Sequence, residues 1–172
     1  DLWEESSDFE VEISLDGKSS VFKAKKHIEA RFDIENPKFW NDEEPNCYDL
    51  YITIKKDGVP SEIHSKKIGI ISSEITGNKL LVNGKPIYIK GINRHEYDCD
   101  NGRAISVELI EKELRLIKEN NINAIRCSHY NNNPAFYELC TEMGIMVMDE
   151  CDLESHGVRR KGVPGSNPLW TD

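Results

Sequence analysis

Hydrophobic positions change their period about halfway along the chain. In the first part every second residue is apolar over short runs: Phe9, Val11, Ile13 and Leu15, then Ile28, Ala30, Phe32 and Ile34, then Tyr48, Leu50, Ile52 and Ile54. A period of two over short runs predicts half-buried strands. Asp16-Gly17 and Asp57-Gly58 are strong turn dipeptides beside these runs, while Pro37 and Pro45 bracket an irregular corner holding Phe39 and Trp40. Residues 1–76 are therefore expected to form a small antiparallel sandwich. About five strands are visible where an immunoglobulin-like domain has seven or more, so the sandwich is expected to be incomplete on its N-terminal side. Trp40 reads as a core or corner tryptophan in preference to a sugar-stacking platform.

From Leu80 the pattern is different. Leu80 to Tyr88 reads strand, Asn83-Gly84 turn, strand, the strongest short hairpin signal in the sequence, and its second arm is expected to continue through Ile92 to Asn93-Arg94-His95-Glu96. Ser106 is placed to cap a helix from Val107 to about Glu119 with Leu109, Ile110, Leu114 and Ile117 on one stripe, and with Glu108–Lys112 and Glu111–Arg115 pairs on the wet face. A strand through Ala124-Ile125 follows. Asn133 then caps a second helix that has Pro134 at its first position, Phe136, Leu139, Cys140 and Met143 inside, and Gly144 as its stop. A strand from Ile145 to Met148 comes next, and residues 157–172 read as a loop. Strand, helix, strand, helix, strand with short connections is the opening of a parallel α/β sheet. A closed eightfold barrel needs roughly 250 residues. The fold class expected is thus multidomain, all-β plus α/β: an incomplete immunoglobulin-like β-sandwich over 1–76, then over 77–172 the first three strands and two helices of a (β/α)8 TIM barrel.

Composition narrows the partners. The 172 residues carry 22 basic and 31 acidic side chains, a net charge of -9, which argues against nucleic acid and against an anionic membrane. No apolar run approaches the roughly 18 residues of a spanning helix, and no signal-peptide pattern opens the chain. Asp1 stands where a translated chain has Met, so residues are expected to precede it. The five cysteines, Cys47, Cys99, Cys127, Cys140 and Cys151, are odd in number and form no C-x-x-C pair, which suggests reduced thiols and a cytoplasmic location. Cys127 near His129 and Cys151 near His156 are candidate nucleophiles, although a small buried hydrophobe is the preferred reading of each.

The chemistry gathers where apolar strands stop. Their ends carry Asn93-Arg94-His95-Glu96, then Arg126-Cys127-Ser128-His129-Tyr130, then Asp149-Glu150 with Glu154-Ser155-His156-Gly157. In a parallel barrel all of these surface on one face. A single histidine near a strand end is commonly structural, whereas three of them with carboxylates and an arginine at successive strand ends point to a site. Asp149 and Glu150 are adjacent, leave the strand in opposite directions, and read as a structural network at the rim.

These residues resemble glycoside hydrolase family 2, and within it the β-galactosidases. The markers are Ile34-Glu35-Asn36-Pro37-Lys38-Phe39-Trp40 followed by Pro45-Asn46-Cys47-Tyr48, then Asn83-Gly84-Lys85-Pro86, Gly91 to Glu96, Asn123 to Tyr130, and Asp149 to Gly157. Arg94 before His95 and the Glu154-x-His156-Gly157 motif favour the β-galactosidase branch over the β-glucuronidases. The resemblance implies a sugar-binding sandwich, an immunoglobulin-like domain and a TIM barrel in a homo-oligomeric enzyme that hydrolyses terminal β-D-galactosides with retention. It implies that His95 and His129 hydrogen-bond galactose hydroxyls, that Arg126 orients the nucleophilic carboxylate, and that Glu154 and His156 hold Mg²⁺ with a third protein ligand from elsewhere; Na⁺ is a further ion of the full enzyme. A carboxylate suits Mg²⁺, while an imidazole ordinarily suggests zinc. Retaining cleavage needs two carboxyl groups roughly 5 to 5.5 Å apart, and the resemblance places both beyond Asp172. This segment is therefore expected to need the remainder of the polypeptide and to be inactive alone.

Three departures from the family pattern stand out. Asn131 replaces a proline after His129-Tyr130, Thr141 replaces an aspartate or asparagine, and Gly69-Ile70-Ile71 lacks an aromatic-arginine pair. Without the proline, the loop carrying His129 is expected to be less rigid. Two other readings use the same residues: a stand-alone hydrolase with zinc on His95, His129, Glu154 and His156, and a carbohydrate-binding or structural module without catalysis.

Overall fold

The computed structural model describes residues 6–153. Its first unit is a four-stranded antiparallel sheet of β1 (Ser6–Leu15), β2 (Lys18–Ala24), β3 (Cys47–Lys56) and β4 (Val59–Gly69), in the order β2-β1-β3-β4. The tight turns form where the dipeptides predicted them. Asp16-Gly17 has φ of 50° and 74°, and Asp57-Gly58 has 51° and 76°, the paired positive angles that match a hairpin's twist. Val11, Leu15 and Ala24 supply the buried face. β4 is an edge strand exposed from Val59 to Lys67, and it is broken by a register shift beside Pro60, which has no N–H to offer a neighbour.

The strand expected over Ile28–Ile34 is not there. Ile28, Ala30, Phe32 and Ile34 are half-buried while Glu29, Arg31 and Asp33 are exposed, so the alternation is real, yet this stretch joins no sheet. Alternation reports extended backbone lying on a surface and does not choose a ladder partner; among the described residues this stretch pairs with none. The following corner closes instead through a bridge between Trp40 and Pro45 and through Asn41, whose side-chain oxygen accepts from the backbone N–H groups of Glu43 and Glu44.

Next comes a three-stranded antiparallel sheet of β5 (Ser73–Thr76), β6 (Lys79–Val82) and β7 (Lys85–Pro86), turning at Asn83-Gly84 with φ of 50° and 74°. The second arm does not run on to Ile92 as one strand. It ends at Pro86, and β8 (Gly91–Arg94) opens a different, parallel sheet with β9 (Ala124–Cys127) and β10 (Met146–Met148), ordered β10-β9-β8. Asn123 makes this crossing. Its side chain accepts from Lys90 N at 2.8 Å and donates to Tyr88 O at 3.0 Å.

The helices match the predicted caps. In α1 (Val107–Glu119) Ser106 Oγ accepts from Leu109 N at 3.2 Å, Ile110 and Leu114 are fully buried, and Arg115 bonds Glu111 one turn back. In α2 (Pro134–Met143) Asn133 caps the start and Gly144 ends it at φ 72°. Both helices pack their apolar stripes on the parallel sheet. Ile110, Leu114, Phe136 and Cys140 meet Ile125, Cys127 and Ile145 in one core.

The corner at Trp40 ties the first unit to the second. Trp40 is 7% exposed, and its indole Nε1 donates to Thr141 O at 2.7 Å. Lys118 Nζ donates to Asp42 O at 2.6 Å, and Asn123 Nδ2 to Asp42 Oδ2 at 2.8 Å. Two glycines allow the approach: a Cβ on Gly69 would sit 2.7 Å from Trp40, and one on Gly144 would sit 2.6 Å from Asp42 O. Thr141 serves the corner through its backbone oxygen, which any residue there would supply, and Gly69 through its lack of a side chain; Ile70-Ile71 in place of an aromatic-arginine pair has no structural explanation here.

Candidate active site

Because β8, β9 and β10 run parallel and in register, with Asn93 and Met148 on either side of Arg126, their carboxyl ends share a rim. The rim brings together three of the predicted site residues, His95, Arg126 and His129. Arg126 forms an ion pair with Glu150, and its other nitrogens approach Asn93 Oδ1 and His129 Nδ1, each at 3.3 Å. His129 Nδ1 also lies 3.0 Å from Glu150 Oε2. His95 stands edge-on to His129 with ring centroids 5.6 Å apart, and 6.1 Å from the ring of Tyr130. Both contacts of His129 use Nδ1, which leaves its Nε2 for a ligand among the described residues.

Asp149 and Glu150 do part company. Asp149 accepts from Tyr137 OH at 2.7 Å and from Asn131 Nδ2 at 2.8 Å, on the side toward α2, whereas Glu150 faces Arg126 and His129. The bond from Asn131 fastens the loop that carries His129, so a side-chain amide anchors it where proline would have fixed φ. Glu150 is the residue whose part went unrecognised in the sequence. The signal was its place one residue after Asp149, which puts it on the opposite side of the strand.

The remaining candidates separate. Cys127 is fully buried, and burial pushes its thiol up to about 11, helped by nearby Asp149, so it is a core hydrophobe and no thiolate nucleophile. Burial likewise pushes the Cys140 thiol up to about 12 and the Tyr137 phenol up to about 12, the latter also through its bond to Asp149. Cys151 is exposed. Glu154 and His156 lie outside the described residues. Among the described residues the one cluster with metal-ligand spacing is Asp98, Cys99 and Asp100, on the surface and apart from His95 and His129. Two of the four residues of the zinc reading, Glu154 and His156, thus lie outside the described residues.

The rim gathers donors and acceptors of the kind that hydrogen-bond a polyol. It offers imidazoles, a guanidinium, an amide and a carboxylate, half-exposed and facing together. Cutting a glycosidic bond needs two carboxyl groups flanking it, and the carboxylate on this side, Glu150, is held by Arg126 and His129.

An antiparallel β-unit docked on a parallel α/β sheet, with hydrogen-bonding side chains gathered at the strands' carboxyl ends, is the layout of an α/β enzyme scaffold. Residues 73–171 match the model for the TIM barrel domain of glycosyl hydrolases family 2, and residues 3–70 match a further glycosyl hydrolases family 2 model. The chain belongs to glycosyl hydrolase family 2. It is 41% identical over 138 residues to a β-galactosidase of Pseudoalteromonas haloplanktis, covering 80% of this chain and 13% of the relative. It is 42% identical over 132 residues to a β-galactosidase of Lactococcus lactis, covering 76% and 13%. Among solved structures it resembles a β-glucuronidase of Parabacteroides merdae, with TM-score 0.76 and 25% identity over 86% of this chain and 20% of that one. A β-glucuronidase of Ruminococcus gnavus in complex with D-glucuronic acid gives 0.70 and 26% over 83% and 25%. The chain thus spans about a seventh of the length of the sequence relatives.

Proposed function

We propose that this chain is part of a retaining β-galactosidase and forms one wall of its active site. The observation that carries the reading is the convergence of His95, Arg126 and His129 at neighbouring parallel strand ends. The higher identity to β-galactosidases than to the β-glucuronidases of similar fold supports galactose over a uronic acid. In this reading His95 and His129 bind sugar hydroxyls, Glu150 fixes the ring of His129, and Arg126 orients the nucleophilic carboxylate. The acid/base and nucleophilic carboxyls come from residues beyond Asp172. The four-stranded sheet is one layer of an incomplete immunoglobulin-like sandwich over 1–76, and 77–172 open a TIM barrel.

Glu154 and His156 hold Mg²⁺ in this proposal together with a ligand from elsewhere in the polypeptide; a carboxylate suits that ion, and the imidazole is the less usual partner. When bound, the ion would supply positive charge beside the reacting carboxyls. The full enzyme is proposed to be a cytoplasmic homo-oligomer.

The test is turnover of chromogenic glycosides by the full-length polypeptide. It should cleave the β-galactoside in preference to the β-glucuronide and lose most of that activity on His129→Ala, while the 172-residue chain alone should show none. Preference for the glucuronide, or turnover by the short chain that His129→Ala abolishes, would refute the reading.

A further inference from the structure

Beneath the rim lies a charged network that the binding side chains do not include. Arg94 ends β8 and is 6% exposed, with its guanidinium turned inward from the cleft. Its Nε and one terminal nitrogen donate to Glu113 Oε2 on α1 at 3.1 and 2.7 Å. The other terminal nitrogen donates to Asn132 Oδ1 at 2.6 Å and to Glu96 Oε2 at 3.4 Å. The guanidinium also stands 4.8 Å from the ring centre of Phe136 on α2. Glu96, 9% exposed, accepts in turn from the backbone N–H of Asn133 at 3.0 and 3.1 Å. The Arg94 backbone oxygen accepts from Ser128 N at 3.0 Å.

Two consequences follow from that arrangement. His95 stands between two residues, Arg94 and Glu96, whose side chains are both fixed inward, so its own ring is directed to the cleft. The loop 128–133 that carries His129 is bonded to the same network at Ser128, Asn132 and Asn133. One guanidinium thus fixes both histidines relative to each other. A lysine could not replace it, because the contacts need a planar fork reaching several acceptors at once. Removing any acceptor leaves a buried cation short of a partner, the costly case for a charge in low dielectric.

We propose that Glu113, Arg94 and Asn132 are positioning residues for the pair His95 and His129, acting from the core without touching the sugar. The proposal rests on those histidines binding substrate. Glu113 is the most telling of the three, because it sits on a helix away from the cleft and bears on the site through Arg94.

The experiment is a double-mutant cycle in the full-length polypeptide with a chromogenic β-galactoside, read as kcat and KM separately. Glu113→Gln should lower kcat/KM by about tenfold or more. In the His129→Ala background the same change should cost less than about twofold, because the histidine it positions is gone. Asn132→Ala should repeat the pattern, and Asn132→Asp, which keeps the acceptor for Arg94 while giving up the amide's bond to Tyr130 O, should recover most of the activity lost in Asn132→Ala. Losses that multiply independently of His129, or a Glu113→Gln enzyme with wild-type kinetics, would overturn the proposal. If Glu113→Gln fails to fold, the Asn132 pair decides by the same criteria. A His129→Ala enzyme as active as wild type, or no activity toward β-galactosides, would instead refute the proposed function on which this one rests.

Discussion

The two ends of the parallel sheet are held by different chemistry. At the amino end the Trp40 corner docks through an indole, backbone oxygens and a single carboxylate: the indole on Thr141 O, the Asn123 amide on the Asp42 carboxylate, and two glycines that let the chains close up. Lys118 is the one charged donor among these contacts, and it meets a carbonyl. At the carboxyl end the contacts join an arginine, a glutamate and an imidazole that stay partly wet, with Arg126 38%, Glu150 22% and His129 44% exposed. Buried neutral contacts of good shape give stability, while half-exposed charges contribute little to it and keep their capacity to meet a ligand. The amino end thus carries stability, and in the proposed reading the carboxyl end serves the substrate. Substitutions at the corner should appear in stability, and those at the rim in binding.

The largest expected effect is at the corner. Trp40→Ala removes a buried indole and its bond to Thr141, and should cost about 3 to 5 kcal/mol in urea unfolding of the full-length polypeptide. Gly144→Ala should follow at about 2 kcal/mol or more, since it adds a Cβ to a left-handed residue where Asp42 already stands. A Trp40→Ala protein with an unaltered midpoint would remove the distinction between the two ends.

The core between the two ends should respond to alkali. The folded chain holds the protons of Cys127 to about 11, and those of Cys140 and Tyr137 to about 12, against ordinary values of 9.0, 9.0 and 10.0. Above pH 9 the unfolded chain therefore binds fewer protons than the folded one. This contribution to stability is complete below pH 9 and is lost as the pH rises through 9 to 12. The thermal midpoint should fall over that window, and Tyr137→Phe should lessen the fall above pH 10 while lowering the midpoint at neutrality, where it forfeits the bond to Asp149. In the same window Cys99 and Cys151, which are exposed, should react with a thiol reagent well before buried Cys127 and Cys140.

The parallel unit was the more legible half in the sequence. Its helices carry their own instructions, in Ser106, Asn133, Pro134 and Gly144, and local rules suffice to read them. The same reasoning misled at Ile28–Ile34, because alternation fixes which side chains face inward and leaves the choice of ladder partner to the rest of the fold. At the rim, His95, Arg126 and His129 were readable as a group from their places at strand ends. Glu150 and the Arg94 network were not, because the sequence shows that a charge is present but not which neighbour it meets. Glu113 lies on a helix face where a carboxylate is ordinarily solvated, and nothing local marks it as the partner of a buried arginine.

The smallest expected effect bears hardest on the comparison. Glu150→Gln keeps the shape of the side chain and one acceptor oxygen, while removing the charge that Arg126 and His129 share. Exposed ion pairs contribute roughly 0 to 1 kcal/mol, so the unfolding midpoint should move by less than about 1 kcal/mol, well below the effect at Trp40. The ring of His129 and the guanidinium of Arg126 would nevertheless lose their common anchor, and catalysis should suffer far more than stability. The measurement is unfolding and kcat/KM on the same preparation of the full-length polypeptide. A large loss of stability with little loss of activity would mean that the rim is a structural clasp like the corner. The reverse pattern would show that its charges are held in place for a ligand.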